Sequence, residues 1–376
     1  MNTVEAYFKK KTKDLGFLEL KKDLYIGRKK YIDKDIPLPI ITDNLVKKIE
    51  LGEEIEDLEL NNIIEGIIFT LGADKDFPYI DDYKDILIDY VPNISDYILD
   101  HSAKNAKKGL WDIAGLWLRG LLLLEEKNTH ALFNYGLVLE EIAKDFIDEG
   151  EVETGNEFIN SSSNIFETIL DIDEEYALSY YKLGFHYKHF EKYLKASLIW
   201  NKFIPLSKDD ILTQEIREEL DKIRDDAYFE TGLSYLNYKD YEKALDALLK
   251  LLPKHKESWN VNYLIGQSYT GQEEYEIALK YMEEALRLNE GEAEVYNDLG
   301  IINYNLGNIN EAIRIFTEGI EKCSQDYKLF FNRGLGYVNQ GLYELGLKDF
   351  EKAEELNPDN FNIIKQKEAI IDALSK

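Results

Sequence analysis

Two histidines offer the most direct chance of site chemistry in this sequence. His186 and His189 are three residues apart, and on a helix that spacing places both imidazoles on one face, where they could share a metal ion. A metal site needs further ligands, and no third one is evident in the sequence. The pair is therefore interpreted as surface or groove histidines, and no metal-binding residue is assigned.

The other candidate patterns also lack the context that their chemistry requires. Cys323 has no positioned partner, and the acidic run DIDEE (171–175) lacks the ligand spacing of a calcium loop. GLGYVNQG (334–341) is rich in glycine but does not follow a strand, as a dinucleotide loop does. The sequence contains no GxxxxGKS/T, HExxH or paired CxxC motif. It therefore predicts no catalytic residue, no cofactor and no enzyme activity.

The net charge of the chain limits its partners. The 376 residues include 45 Lys or Arg and 73 Asp or Glu, which gives a formal net charge of −28. Such a surface repels a phosphate backbone, so nucleic acid is not the expected partner. A protein or peptide partner of apolar or basic character fits better. The sequence leaves the oligomeric state open.

Cysteine content and hydropathy point to a compartment. A single cysteine fits a reducing environment, and the N-terminal MNTVEAYFKKKTKD has no apolar leader segment. The most apolar run (109–124) contains Asp112 and Arg119 and is too short to span a bilayer. The sequence therefore predicts a soluble, cytoplasmic protein without a membrane segment.

A three-part pattern recurs at a constant interval from position 232 onward. A glycine is followed after twelve residues by a small residue, and after four more by a bulky apolar one. Such self-similarity indicates an array of equivalent units that bury a continuous core between neighbours. The glycines are Gly232, Gly266, Gly300 and Gly334, the small residues Ala244, Ala278, Ala312 and Gly346, and the apolar residues Leu248, Met282, Phe316 and Phe350.

The pattern continues upstream with longer spacings. The interval from Gly136 to Gly184 equals the interval from Gly184 to Gly232, and both exceed the interval between the later glycines. The extra residues of the later interval lie between repeats, around 205–223, and those of the earlier interval lie within a repeat, around 144–158. The earliest unit is degenerate because Ser102 takes the glycine position. The predicted boundaries are 95–128, 129–176, 177–224, 225–258, 259–292, 293–326 and 327–360 for seven repeats, and 361–376 for a C-terminal capping helix with a polar outer face.

Each repeat is predicted to form two amphipathic helices that pack against each other. In the unit 293–326, Tyr296 and Gly300 share one stripe of the first helix, and Ala312 and Phe316 lie on the facing stripe of the second. Glycine inside a helix costs roughly 0.5–1 kcal/mol relative to alanine. We expect close packing to offset this cost, because Gly300 and Ala312 let the two backbones approach while the aromatic rings fill the space around them.

This spacing resembles the tetratricopeptide repeat (TPR), of bacterial type. Two departures from the family pattern are Asn303, which replaces a tyrosine, and Pro253, which comes early in its unit. The resemblance implies an all-α fold of stacked antiparallel helix pairs in a right-handed superhelix, with first helices lining a concave groove. It also implies protein or peptide binding. The matching residues of the last repeat are Phe330, Gly334, Tyr337, Gly346, Phe350, Ala353 and Pro358.

The family's groove positions, transferred to this chain, form an apolar and aromatic strip edged by amides. Such a strip suits an extended peptide or a partner helix. Family members that clamp a C-terminal carboxylate use lysine and asparagine at positions that here hold Phe229, Glu230, Leu233 and Tyr263, so that clamp is absent. The predicted groove residues are Phe229, Leu233, Leu236, Asn237, Tyr263, Gln267, Asn297, Ile301, Tyr304, Asn305, Phe331, Leu335, Val338 and Asn339.

Residues 1–94 match no repeat and are predicted to form a mainly helical segment. LYIGRKKYI (24–32) could form a hairpin that turns at Gly27-Arg28, and 59–72 and 79–91 are interpreted as helices. The segment 1–34 carries a net charge of +5, so the remainder carries −33. This basic segment could dock on the chain's own acidic surface, face another molecule, or remain solvated.

Three functions follow from these observations. The first is a non-enzymatic scaffold or adaptor that binds a partner along the groove. The second is a regulator that a peptide switches, with the basic N-terminal segment as effector. The third is an enzyme. Repeat solenoids supply binding surfaces, and a function must be argued from a specific site. Catalysis would therefore require a polar pocket in residues 1–94.

Overall fold

The computed structural model of the chain describes residues 2–26, 30–42, 60–323 and 325–375. The chain forms two compact units, Met1–Glu218 (unit 1) and Glu219–Lys376 (unit 2). Helices make up most of each unit, in tandem pairs joined by short turns. The predicted all-α fold of repeated helix pairs is therefore confirmed.

Unit 1 begins with a short helix and two small antiparallel ribbons. Helix α1 (Thr3–Lys9) continues through a 3-10 turn (Lys10–Asp14) into the first strand. The first and last strands pair with Leu15 opposite Ile41, and the two middle strands pair with Leu24 opposite Ile32. The strands are β1 (Leu15–Leu18), β2 (Leu24–Ile26), β3 (Lys30–Ile32) and β4 (Leu38–Ile41).

The β2–β3 ribbon lies where the sequence predicts a hairpin, while the predicted turn at Gly27-Arg28 lies outside the described residues. The β1–β4 ribbon has no counterpart in the prediction. Its strands are only four residues long each and are separated in sequence by the other ribbon, so no local turn signal marks their pairing. Ile40 and Leu38 of β4 are buried, which fixes this ribbon on the helices of unit 1.

Helices α2 to α9 complete unit 1. The turns between α4 and α5 and between α6 and α7 contain Gly109 and Gly150, whose positive φ values of 72° and 88° suit a residue without a Cβ. The helices are α2 (Leu60–Ala73), α3 (Ile80–Tyr90), α4 (Ile94–Ala106), α5 (Trp111–Leu124), α6 (Thr129–Asp148), α7 (Val152–Ile172), α8 (Ala177–His189) and α9 (Tyr193–Leu206).

The surplus of residues within the repeat 129–176 has a structural reason. It lengthens α6 and α7 to 20 and 21 residues, compared with 13 and 14 in a regular repeat. The added turns carry Phe146 and Phe158, whose rings meet Tyr7 of α1 edge-on at 5.9 and 5.4 Å. Phe8, the next residue of α1, is fully buried. The extension therefore supplies an aromatic surface on which the N-terminal helix packs.

The basic N-terminal segment also pairs with carboxylates of unit 1. Lys9 Nζ lies 2.8 Å from Asp74 Oδ2, and Lys11 pairs with Asp112. In the opposite sense, Glu5 of α1 accepts two hydrogen bonds from the Arg119 guanidinium, at 2.7 and 3.2 Å. Helix α1 and the residues just after it therefore dock on the chain's own surface.

Unit 2 consists of regular helix pairs and a final single helix. Helix α10 contains the boundary between the units and continues into unit 2. The helices are α10 (Asp210–Asn237), α11 (Tyr241–Leu248), α12 (Leu252–His255), α13 (Trp259–Gly271), α14 (Tyr275–Leu288), α15 (Ala293–Asn305), α16 (Ile309–Lys322), α17 (Tyr327–Asn339), α18 (Tyr343–Leu356) and α19 (Phe361–Leu374).

The recurrent glycine in each pair makes room for the recurrent bulky residue. A Cβ built on Gly300 would lie 2.2 Å from Phe316 Cε1, far inside any tolerable contact. Tyr296, Ala312 and Phe316 are themselves buried almost completely. The same conflict arises at the other repeats: a Cβ would lie 2.5 Å from Leu248 at Gly232, 2.9 Å from Met282 at Gly266, 2.8 Å from Phe350 at Gly334 and 2.0 Å from Trp200 at Gly184.

Two local predictions differ from the structure. The surplus around 205–223 is largely helical and forms the first part of α10, a 28-residue helix, so it extends a repeat helix instead of separating two repeats. The predicted polar outer face of the capping helix is wrong in part, because α19 exposes Phe361 at 73% and Ile371 at 44%. Its inner face does pack, since Ile363 and Ile370 are buried.

Candidate functional site

The fourteen predicted groove residues lie on the first helices of four successive repeats, on α10, α13, α15 and α17. We call this surface the first-helix face of unit 2. Hydrogen bonds place α13, α15 and α17 side by side: Tyr263 donates to Asp298 Oδ2 at 2.9 Å, and Asn339 donates to the Tyr304 hydroxyl at 3.2 Å. Helix α10 lies beside α13, because Phe229 and Leu236 pack on the core that contains Leu264. Asn297 is buried, and the other thirteen side chains are half-buried or exposed.

A polar network crosses this face with Asp298 at its centre. The carboxylate accepts hydrogen bonds from the Tyr263 hydroxyl, from Gln267 Nε2 at 3.1 Å and from Asn297 Nδ2 at 3.2 Å. Asn332 extends the network to the next repeat by donating to Asn297 Oδ1 at 2.6 Å. Burial and the negative charge of Asp298 raise the pKa of the Tyr263 hydroxyl, so it remains a donor at neutral pH.

The amides on this face therefore divide into two groups. Asn297 is only 8% exposed, and its side chain bonds Asp298 and Asn332. Its role is to hold the network together. Asn237 and Asn305 are exposed near the ends of their helices, where their amides can reach a ligand backbone. Whether the predicted residues bind a partner remains a prediction.

A cavity of about 340 Å³ opens between the first helices of the repeats 225–258, 259–292 and 293–326. Apolar Leu236 and Ile301 form part of its wall, and Gln267 and Asp298 form the polar part. This combination of apolar and polar walls is typical of a site that takes an amphipathic side chain.

A second surface, in unit 1, was not among the predicted site residues. Cavities of about 240 and 480 Å³ lie on the first helices α6 and α8, and both are lined by Glu140 and Lys182. Phe185 and Ile147 contribute apolar wall to the larger cavity. The signal that could have located this surface is the weaker glycine pattern at Gly136 and Gly184, whose longer spacing hides the groove positions between them.

A buried polar cluster joins three helices beside these cavities. Glu140 of α6 accepts from Lys182 Nζ of α8 at 2.6 Å and lies 2.9 Å from His186 Nε2. The other ring nitrogen of His186 lies 2.8 Å from Ser163 Oγ of α7. Burial alone would raise the pKa of the Glu140 carboxyl, but the hydrogen bond from His186 and the adjacent Lys182 lower it below its usual 4.5.

The cluster has the residue types of a Ser-His-Glu triad, but its geometry favours packing. The Ser163 side chain is 7% exposed, and its hydroxyl donates to the Ile159 carbonyl at 3.0 Å within its own helix. A nucleophile needs access to a substrate carbon and donors for the oxyanion. The cluster is best described as a polar tie between α6, α7 and α8.

The candidate metal and thiol residues have other partners. His189 Nε2 lies 2.8 Å from Asn156 Oδ1, while His186 belongs to the Glu140 cluster. Across the ranges that the structure describes, no three His, Cys, Asp or Glu side chains are arranged to hold a metal. Burial raises the pKa of the Cys323 thiol, whose Sγ lies 3.4 Å from the Gly291 carbonyl.

Among the described helices, none has the combined length and apolar character that crossing a bilayer requires. The apolar helix α5 illustrates why: it has 14 residues and includes Asp112 and Arg119.

Comparison with known proteins identifies the repeats. Models of the tetratricopeptide repeat match residues 226–258, 263–327 and 327–360. The chain is 29% identical over 122 residues to the Hsp70-Hsp90 organizing protein of Triticum aestivum, covering 32% of this chain and 20% of that protein. It is 25% identical over 254 residues to the TPR repeat-containing protein MJ1428 of Methanocaldococcus jannaschii, covering 57% and 44% respectively. The chain thus spans less than half the length of either relative.

Among solved structures, the crystal structure of YrrB, a TPR protein with an unusual peptide-binding site, is similar with 23% identity and a TM-score of 0.39, covering 54% of this chain and 97% of YrrB. The three matched stretches coincide with the helix pairs of unit 2 in which the glycine and the bulky residue interlock. The matched residues between 226 and 360 are therefore tetratricopeptide repeats.

Proposed function

We propose that the chain is a non-enzymatic adaptor that binds a protein or peptide partner along the first-helix face of unit 2, in the cytoplasm. The observation that carries the proposal is the composition of this face. Half-buried aromatic and aliphatic side chains lie next to exposed amides, across four helices that stand side by side. An extended segment or a helix gains apolar contact and backbone hydrogen bonds from such a surface.

The family supports the same class of function, since tetratricopeptide repeats serve as protein–protein interaction scaffolds. The absence of lysine at the clamp positions favours a partner other than an acidic C-terminal tail. The close burial of α1 supports the adaptor over the regulator in which the N-terminal segment moves, because releasing Phe8 would expose a fully buried ring.

A selection from a phage-displayed library of random peptides tests the proposal with the full-length protein. We expect the wild type to enrich peptides whose binding is lost in Leu233→Asp, because a charge would enter the apolar strip. Leu345→Asp is the matched control. Leu233 and Leu345 are exposed to similar extents, 37% and 42%, but Leu345 lies on the second helix α18.

Two outcomes would contradict the proposal. One is that the wild type enriches no peptide family above the background of the empty support. The other is that the enriched peptides bind Leu233→Asp and Leu345→Asp equally well, since the binding surface would then lie elsewhere. Circular dichroism of both variants checks that each of them retains the fold.

A further inference from the structure

The carboxylate of Asp298 is held in place but carries no counter-charge. Its Oδ2 accepts from the Tyr263 hydroxyl and Gln267, and its Oδ1 accepts from Asn297. All three donors are neutral, so they fix the orientation of the carboxylate and leave its charge uncompensated. Over the parts of the chain that the structure describes, no lysine, arginine or histidine lies within ion-pairing distance of Asp298.

Two other carboxylates that are partly or fully buried in this chain do have such a partner. In unit 2, Asp349 accepts two hydrogen bonds from the Arg333 guanidinium, at 2.7 and 2.8 Å. In unit 1, Glu140 pairs with Lys182. Removing a carboxylate from water is costly unless a cation compensates it. Asp298 is therefore a place on the first-helix face where an external cation is favoured.

The cavity beside Asp298 has the shape and lining for a long cationic side chain. Its volume is about 340 Å³, and Leu236 and Ile301 provide apolar wall along which a methylene stem can lie. Gln267 and Asp298 form the polar part of the wall. The net charge of −28 on the whole chain also attracts a basic partner and repels an acidic one.

We propose that this cavity binds a lysine or arginine side chain of the partner peptide, with Asp298 as its counter-charge. The inference rests on the proposed function, since it names the residue class that the first-helix face recognises. The stem of the side chain packs between Leu236 and Ile301, and its charged end donates to the remaining lone pairs of the Asp298 carboxylate. Asp298 thereby selects basic segments over acidic or purely apolar ones.

The test repeats the random-peptide selection on the full-length wild type, on Asp298→Asn and on Asp359→Asn. The first variant removes the charge and keeps the side-chain shape. The second removes the same charge from an exposed turn after α18. We expect the wild type and Asp359→Asn to enrich peptides that carry Lys or Arg at one fixed position, and Asp298→Asn to lose that preference.

Affinity measurements on one enriched peptide make the test quantitative. Replacing its conserved basic residue by norleucine should weaken binding to the wild type roughly tenfold. Asp298→Asn should weaken binding of the basic peptide to a similar extent and leave binding of the norleucine peptide unchanged. The norleucine comparison uses the wild-type protein alone, so it decides the question even if Asp298→Asn folds poorly.

Failure of this inference differs from failure of the proposed function. If peptides that depend on Leu233 are enriched without a conserved basic residue, the adaptor function stands and the role of Asp298 is wrong. Equal binding of the basic and norleucine peptides has the same meaning. If no peptide that depends on Leu233 is enriched at all, the proposed function fails and this inference fails with it.

Discussion

Glu140 shows how a single charged residue is accommodated between repeats. Its side chain is 20% exposed, and it receives Lys182 and His186 from the next repeat. Because the partners lower the pKa of the carboxyl, the folded state favours the ionised form more than the unfolded state does. The stability that this preference contributes is present above the usual pKa of 4.5 and is lost as the pH falls through the folded-state pKa.

Glu140→Gln is therefore expected to lower the free energy of unfolding of unit 1 at neutral pH by about 2 kcal/mol, since it removes charged hydrogen bonds from a largely buried site. The gap between wild type and variant should narrow on acidification below pH 4.5, as Glu140 itself becomes protonated. Urea unfolding of the full chain, followed by tryptophan fluorescence, measures this, because Trp111, Trp117 and Trp200 all lie in unit 1.

The exposed Glu157 of α7 supplies the control, because Glu157→Gln changes the same functional group on the surface. Its effect should stay within about 0.5 kcal/mol at every pH. A Glu140→Gln protein as stable as the wild type at neutral pH would show that the cluster contributes no net stability. A gap that stayed constant on acidification would show that the ionised carboxylate is not its source.

At the scale of a helix pair, the close approach of two backbones explains the recurrent glycine. Alanine is the better helix former by roughly 1 kcal/mol, so propensity alone predicts that Gly300→Ala stabilises the protein. The structure predicts the opposite sign, because the added Cβ would lie 2.2 Å from the ring of Phe316, which is buried between α15 and α16.

Gly300→Ala should therefore destabilise unit 2 by about 1–3 kcal/mol through overpacking. Phe316→Leu should cost less in the Gly300→Ala background than in the wild type, because it removes the ring atoms that the added Cβ would meet. Chemical denaturation of the full chain, followed by the fluorescence of Trp259 or by circular dichroism, gives both values. Trp259 is the tryptophan of unit 2.

The choice of control glycine matters for this prediction. Gly307 lies on the surface, but its φ of 79° would strain any other residue, so Gly307→Ala is not neutral. Gly291 is exposed, and a Cβ there would meet only the side chain of Asn289 at 3.3 Å. If Gly300→Ala proved as mild as Gly291→Ala, the account of the recurrent glycine as a packing device would be wrong.

Some of the helix architecture could be predicted from the sequence because its causes are local and periodic. The stripe that contains Tyr296, Leu299 and Gly300 is buried as the 3.6-residue period requires. The packing of Phe316 against Gly300 follows from the fixed spacing between them. Each of these features repeats, so one unit confirms the interpretation of the next.

What could not be predicted depends on contacts distant in sequence. Nothing near Tyr7 indicates that Phe146 and Phe158, from a remote part of the chain, will pack on it. The charged cluster around Glu140 likewise combines side chains from three helices. The network at Asp298 was missed for a different reason: the residue lies one position away from a predicted groove residue, Asn297, and periodicity does not show which of the two faces a cavity.

At the scale of the whole chain, charge is distributed unevenly. The segment 1–34 carries a net charge of +5 within a chain of net charge −28, and part of this positive charge is compensated internally by Asp74 and Asp112. The external surface that a partner meets is therefore predominantly acidic, which favours basic partners during the encounter at low ionic strength.

In a repeat array, the loss of stability that a mutation causes should be largest in the mutated repeat and should decrease in repeats farther along the chain. In unit 2, α15 packs against α16 and α14 and against the first helices α13 and α17, so each repeat depends chiefly on the one before and the one after it. We expect Gly300→Ala to lower hydrogen-exchange protection most in 293–326, less in 259–292 and 327–360, and least in 225–258. Peptide-resolved mass spectrometry of the full chain, with Gly291→Ala as control, measures this gradient. A uniform loss of protection across 225–360 would contradict it, because the four repeats would then unfold as one cooperative block.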